Sequence, residues 1–259
     1  MDCISVENMR LSDQNTIRNS VSSLELMRRA AAGIYKAADF STEPIVICVG
    51  SGNNGGDGFA LAEILKQDGI DCEILTVSDH WSEDAQFYKA RAERLGVPVK
   101  AYEPEMNQLD GAAVIVDCLL GTGFQGDVRG KYADMIEEIN HLPALVVSCD
   151  INSGMNGDSG HGSLIVHSDV TVTIGYVKQG LITENAGKYM DCLITADIGI
   201  DLDHKEDELL SERVWNQLKQ QKTNKILKLD DGTEYIERAG HRVYCMPEWL
   251  DPASVISRE

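Results

Sequence analysis

Four short stretches of this chain combine glycines with oxygen- or nitrogen-bearing side chains, and each directly follows an apolar run. The first is Gly50-Ser-Gly52-Asn53-Asn54-Gly55-Gly56-Asp57-Gly58, with five glycines in nine residues. The second begins at Asp117 and continues through Gly121-Thr122-Gly123-Phe124-Gln125-Gly126-Asp127 to Arg129. The third is Asp150-Ile-Asn152-Ser153-Gly154, and the fourth is Gly175-Tyr-Val-Lys178-Gln-Gly180-Leu181. Glycines let backbone approach a ligand closely, and a helix that starts just after such a turn offers unpaired N–H groups to an anion. The paired asparagines and Asp57 add side-chain oxygens that a purely phosphate-cradling loop does not need. Each stretch also has a plainer reading. Gly50-x-Gly52-x-x-Gly55 suits a simple tight turn as well as a dinucleotide fingerprint. Asp117 and Asp150 suit helix caps or turns, Asn54 suits a left-handed backbone position, and Lys178 suits an exposed surface.

These stretches need a scaffold that brings them to one place. Short apolar runs at Ile45–Val49, Cys72–Val77, Ala113–Cys118, Leu145–Cys149, Val170–Ile174 and Cys192–Ala196 predict strands. Helical patterns at Phe59–Gln67, Ser82–Leu95 and Gly130–Asn140 separate the first four. Such alternation predicts an α/β fold: a three-layer, doubly wound, mostly parallel sheet of Rossmann-like type. In open sheets of this kind ligands bind beyond the carboxyl ends of the strands, where all four stretches fall. Residues 5–40 read as an added N-terminal helical segment, with Leu11, Ile17, Val21, Leu24, Met27, Ala31 and Ile34 as its apolar positions. We divide the chain into 1–202, carrying the sheet, and 203–259, a C-terminal appendage. In the latter, Glu206–Gln221 predicts an amphipathic helix with Leu209, Leu210, Val214 and Leu218 as its stripe. A hairpin of Ile226–Leu229 and Glu234–Ile236 around Asp231-Gly232 follows, with Arg242–Cys245 as a short third strand.

Composition narrows the function classes. The chain has 259 residues and a formal net charge of −19, which argues against a nucleic-acid-binding surface. An anionic ligand must then be held locally, against an unfavourable overall field. Seven cysteines without a C-x-x-C pair, five of them inside apolar runs, predict buried reduced thiols and a cytoplasmic setting. Met1-Asp-Cys-Ile-Ser-Val-Glu7 has neither a basic nor an apolar leader region, and no apolar run reaches the ~20 residues of a membrane helix.

The linked motifs resemble those of the NAD(P)H-hydrate epimerase family, the YjeF N-terminal domain. That family carries G-x-G-N-N-G-G-D-G, then D-A-L-F-G-T-G-x-x-G-x-V-R, D-I-P-S-G and G-x-x-K-x-G-L in the same order. Here they appear as Gly50–Gly58, Asp117–Arg129, Asp150–Gly154 and Gly175–Leu181, and Asp197-Ile-Gly199-Ile200 resembles the D-I-G-I that closes the domain. Two departures stand out. Asn152 replaces the proline of D-I-P-S-G, which predicts a looser turn. Leu26-Met-Arg28-Arg29-Ala30-Ala31 replaces L-M-E-R-A-G, losing an acidic residue and a glycine.

The resemblance implies a substrate, NADH or NADPH hydrated at C6 of the nicotinamide ring, and a reaction that interconverts its R and S epimers. C6 is then a hemiaminal carbon. Its configuration is lost either by departure of the hydroxyl, assisted by the ring nitrogen, or by ring opening to an aldehyde. Both routes need a group that gives and takes a proton. Asp150 is our candidate acid/base, with Lys178 as its electrostatic partner or proton donor. The diphosphate is expected on backbone N–H groups of Asn53, Asn54, Gly55, Gly56 and Asp57 and of the 121–127 loop. The family also implies a potassium ion held by Asn54, Asp117 and Ser153, an all-oxygen set that a hard cation prefers. A homodimer and a separate dehydratase that consumes the S epimer are the implied partners. A non-catalytic binding or scaffold domain on the same fold is the alternative. A nicotinamide-dependent dehydrogenase with Asp79 on the ribose is a third reading, and it leaves the asparagine pair unexplained.

Overall fold

A computed structural model of the chain describes residues 1–221 and 223–256. In order the elements are β1 (Asp2–Ile4), α1 (Val6–Asn19), α2 (Ser23–Ala37), β2 (Ile45–Val49), α3 (Asn53–Gln67), β3 (Cys72–Thr76) and α4 (Glu83–Arg94). Next come β4 (Val99–Ala101), β5 (Val114–Cys118), α5 (Lys131–His141), β6 (Leu145–Cys149), β7 (Ser168–Ile174), β8 (Val177–Lys178) and β9 (Met190–Ala196). The last are β10 (Asp207–Leu210), α6 (Glu212–Lys219), β11 (Ile226–Lys228), β12 (Glu234–Arg238), β13 (His241–Cys245) and β14 (Leu250–Ile256).

Eight strands form one sheet in the order β14-β9-β7-β6-β5-β2-β3-β4, every neighbouring pair parallel. All six predicted strands lie in it, because a sheet covered on both faces needs apolar residues on both. Along β2, Ile45, Ile47 and Val49 pack with α2, α3 and α4, whereas Val46 and Cys48 pack with Met135, Ile136 and Ile139 of α5. That alternation is the three-layer α/β architecture expected. Among the described residues no helix is long and apolar enough to cross a membrane. All seven cysteines are free thiols, and five of them are buried.

The N-terminal helical segment is two helices rather than one. Ser5 and Ser22 each cap one, their hydroxyls accepting from the N–H groups of Asn8 (3.2 Å) and Glu25 (3.3 Å). The buried face of α1 is largely polar: Asn8, Ser12 and Thr16 are sealed from solvent while Ile17 is exposed. Asn8 donates to the His204 carbonyl (2.8 Å), and the hydroxyls of Ser12 and Thr16 accept from the N–H groups of Asp203 and Asp201 (both 2.9 Å).

The predicted helix over 206–221 is corrected. Asp207–Leu210 is strand β10, and only Glu212–Lys219 is helical, starting after Ser211. Leu209 and Leu210 fit a helical stripe by spacing, but pairing with β1 and β13 draws them into a sheet. The hairpin and the third strand appear as β11, β12 and β13. Residues beyond 203 extend both sheets. β14 joins the edge of the parallel sheet beside β9, and β10–β13 build a second, mixed sheet, β11-β12-β13-β10-β1-β8. The edge strand of that second sheet next to β1, β8, carries Lys178, which lies opposite Ile4 in the register with β1.

Candidate active site

Beyond the carboxyl ends of β2, β5 and β6 lies a cleft of ≈570 Å³, walled on its other side by α1 and α2. The structure brings Asn53, Asn54, Asp57, Gly121, Thr122, Gly123, Phe124, Asp150 and Lys178 together in its lining. Glycine is required where β2 turns into α3. A Cβ on Gly50 would stand 1.8 Å from the Leu119 carbonyl oxygen, and one on Gly55 would stand 2.3 Å from the Gly50 oxygen. The helix begins at Asn53, so Asn53, Asn54 and Gly55 occupy its first turn. The Gly56 N–H already donates to the Gly52 carbonyl (3.3 Å), so the first-turn amides without an intrahelical acceptor are those of 53–55 rather than 53–57. Tyr132 of α5 braces this turn, its hydroxyl accepting from the Ser51 N–H (3.1 Å).

Asp150 sits just past β6 in a left-handed conformation, with φ 65°. Aspartate tolerates that region better than most residues do, and the strain marks a turn that its surroundings must hold. The surroundings do so through one carboxylate oxygen. Oδ1 accepts from the Ile174 N–H (3.2 Å) and from the Lys178 ammonium. Lys178, 0% exposed, spends its remaining donors on Thr173 Oγ1 (3.0 Å) and the Ile174 carbonyl (2.7 Å). Its three donors are thus committed within the protein, one of them to Asp150. Oδ2 takes no hydrogen bond among the described residues. It lies 4.0 Å from where a Cβ on Gly121 would be, and the Asn54 Cβ lies 3.2 Å from the same point. The amide and the carboxylate therefore meet across Gly121.

Five expected contributors stand away from the cleft lining. Gln125, Gly126 and Asp127 lie outside it, and Asp127 pairs with Arg129 at 3.5 Å on the surface. The 121–127 loop does not lead directly into a helix, since α5 starts only at Lys131. Gly55 and Gly56 lie beneath the surface, where a Cβ on Gly56 would meet the Met27 Cε at 2.4 Å. Their role is to let α3 pack closely against its neighbours.

Asp117 and Ser153 are fully buried behind the wall. Asp117 accepts from the Leu119 N–H (3.2 Å), the Ser148 hydroxyl (2.9 Å), and the Ser153 N–H (2.9 Å) and hydroxyl (2.5 Å). No cation is among these donors, and burial pushes its carboxyl above the ordinary range, opposed by the Ser153 and Leu119 hydrogen bonds. Asn54, 6% exposed, has both amide atoms buried without a partner. An orphaned amide oxygen and a carboxylate lacking a counter-cation are donors of the kind a hard cation takes. Ser153 has a second acceptor within reach, the Leu120 carbonyl at 3.2 Å, so its proton can turn away from Asp117.

Sequence reasoning missed the α1 wall. Met9, Arg10, Asp13 and Ile17 all line the cleft, spaced as one helix face. Burial pushes the Asp13 carboxyl up to about 6, with Lys178 opposing and Asp150 adding. Asp57 is pushed well above the carboxylate range by burial, reinforced by Asp150 and Asp13. The only sequence signal for Asp13 is an acid seven residues after Val6 and four before Ile17 on the same face.

A family model for the YjeF-related protein N-terminus matches residues 23–180. The chain belongs to that family. Among its relatives, a protein of Levilactobacillus brevis named NAD(P)H-hydrate epimerase is 37% identical over 186 residues, spanning 70% of this chain and 85% of that protein. One of the same name from Limosilactobacillus fermentum is 37% identical over 205 residues, spanning 75% and 95%. The bifunctional NAD(P)H-hydrate repair enzyme Nnr of Archaeoglobus fulgidus is 35% identical over 202 residues, 77% of this chain and 42% of Nnr. The crystal structure of yeast ynu0 shares the fold, with a TM-score of 0.67 at 17% identity, covering 80% of this chain and 97% of that one.

Against this family background the Asn152 departure is corrected. The turn is not looser. Asn152 is 0% exposed, its Nδ2 lies 2.9 Å from each of the Val166 carbonyl, Ser168 Oγ and the Tyr189 carbonyl, and its Oδ1 accepts from Thr171 (2.7 Å). Side-chain hydrogen bonds do here what a proline ring does by fixing φ. Arg28, the other departure, pairs with Glu25 on the surface of α2 (2.8 Å).

Proposed function

We propose that this protein interconverts the R and S forms of NADH or NADPH hydrated at C6 of the nicotinamide ring, a cofactor-repair isomerisation. The observation that carries the reading is Asp150. Its Oδ1 is held by a buried lysine and a backbone amide, while Oδ2 is left to the cleft beside Asn54 and Gly121. A carboxylate fixed at one oxygen and open at the other is prepared to exchange a proton with a hydroxyl group. The names of the relatives supply the substrate class.

The diphosphate rests on the open N–H groups of Asn53 and Asn54 at the N-terminus of α3, with Gly121, Thr122 and Gly123 as the facing strand-end loop. The charged lining is otherwise unfavourable to it: Asp13, Asp57, Asp84 and Asp150 face only Arg10 and Lys178. Asn54, Asp117 and Ser153 would hold a potassium ion, whose charge would offset that field. Exchange of potassium for tetramethylammonium is expected to abolish most activity, and full activity in that buffer removes the ion from the reading.

The decisive experiment supplies mixed epimers to an excess of an S-specific dehydratase. Complete consumption on addition of this protein supports the epimerase. An untouched R fraction leaves only a binding module. In this reading the dehydratase is a separate partner, whereas the repair enzyme of Archaeoglobus fulgidus is named bifunctional. The protein is a homodimer in the same reading, which light scattering at micromolar concentration tests.

A further inference from the structure

α1 is fixed from behind and open in front. Its rear positions 8, 12 and 16 bond to the 201–204 segment, and its cap, Ser5, donates from its hydroxyl to Glu206 (2.9 Å). The Val6 N–H donates to Asp158 (2.7 Å). Its front positions 6, 9, 10, 13 and 17 face the cleft, and of these only Arg10 and Asp13 are charged. Arg10 is engaged by Glu7 (2.6 Å), whereas the Asp13 carboxyl takes no hydrogen bond among the described residues. A rigid helix thus presents one unengaged acid to the same cavity that Asp150 faces.

We propose that Asp13 is a second catalytic carboxyl group, exchanging a proton with the C6 oxygen on the nicotinamide face turned away from Asp150. The proposal rests on the epimerase reading, whose chemistry calls for it. When the hydroxyl departs, the C6–O bond breaks, the N1 lone pair forms the N1=C6 bond, and the leaving oxygen takes a proton on one ring face. Water then adds to the other face, the C6–O bond re-forms, the N1=C6 pair returns to N1, and the added water gives up a proton. One carboxyl loses a proton and the other gains one, so the reaction needs no further reagent, and the reverse direction exchanges their roles. A single acid on one wall reaches one face. Asp150 at the strand ends and Asp13 on the helical wall supply both.

The charged groups that line the cleft with Asp13 are Asp150, Lys178, Asp57 of α3, Asp84 of α4 and its own neighbour Arg10, and of these Asp150, Lys178 and Asp57 interact with it. Burial sets its carboxyl at about 6, where both protonation states are accessible near neutral pH. Asp57 is the competing acid and serves as the control.

The test compares full-length wild type with Asp13→Asn, Asp13→Glu and Asp57→Asn, using mixed epimers and excess S-specific dehydratase. For Asp13→Asn, kcat for the R form is expected to fall about 10²-fold or more with KM changed less than about three-fold. Asp13→Glu should recover part of kcat, and the acid limb of the wild-type kcat profile near pH 6 should vanish in Asp13→Asn. Asp13→Asn within two-fold of wild type overturns the proposal. So does a loss confined to Asp57→Asn, or a loss in KM and thermal stability that Asp13→Glu fails to rescue. If wild type itself leaves the R form untouched, the epimerase reading fails first and this inference falls with it.

Discussion

Two asparagines, both nearly sealed from solvent, stand in opposite states. Asn152 has every polar side-chain atom paired, to Val166, Ser168, Thr171 and Tyr189. Asn54 has none paired. A buried amide without partners costs about 1–3 kcal/mol, so one that lines a cleft points to a ligand that offsets the cost. Asn152 is therefore part of the scaffold, and in the proposed reading Asn54 is kept for the ligand. The same division runs through the whole site. Lys178 is saturated by protein acceptors, whereas Asn54, Asp13 and Asp150 Oδ2 line the cleft with atoms that take no hydrogen bond among the described residues.

The largest effect expected lies where the two classes join, at Asp150. Asp150→Ala should lower R–S exchange by roughly 10²–10⁴-fold. It should also destabilise the fold by about 3–5 kcal/mol in urea denaturation, because Lys178 is left charged and buried without its partner. Lost exchange with unchanged stability would mean that Lys178 is not held by this pair.

Asn152→Ala should cost about 3 kcal/mol, since Thr171 and two backbone carbonyls lose a buried partner. Activity should fall with it, as the turn that sets the φ of Asp150 loosens. Asn54→Ala should behave oppositely. Stability of the ligand-free protein should stay level or rise by about 1 kcal/mol, while potassium dependence and exchange are lost. Equal destabilisation by the two substitutions, measured by the same urea titration, would erase the distinction drawn between them.

The smallest effect concerns Asp13 and has a definite sign. Its carboxyl is raised to about 6 from the ordinary 3.8, so the folded state binds this proton more tightly than the unfolded state does. That contribution is favourable at low pH and is lost as pH rises through the window from 3.8 to about 6. Asp13→Asn should therefore be more stable than wild type above pH 6, by about 1 kcal/mol after allowance for solvent screening, and should match it below pH 4. A thermal-melting series from pH 4 to 8 reads the difference directly.

Much of the scaffold was legible residue by residue. The runs Ile45–Val49 and Leu145–Cys149 announce parallel strands because both sheet faces are covered, and the glycines after β2 mark a close passage of backbone. Leu209 and Leu210 misled, because four apolar residues at helical spacing describe a strand and a short helix equally well once a serine cap divides them. α1 misled differently: its buried side is polar, satisfied by backbone from residues 201–204, and no hydrophobic pattern reports such a face.

Asp150 and Lys178 could be picked out from sequence because their strand-end positions and motif spacing are local properties, set by near neighbours along the chain. That Lys178 is committed to Asp150, that Asn54 is orphaned and that Asp13 joins them was decided only in three dimensions. Hydrogen-bond satisfaction and burial depend on segments more than a hundred residues apart, as the register of β8 against β1 illustrates. The sequence by itself determined which atoms were available for chemistry. The tertiary structure decided which of them the protein uses up and which it leaves for a ligand.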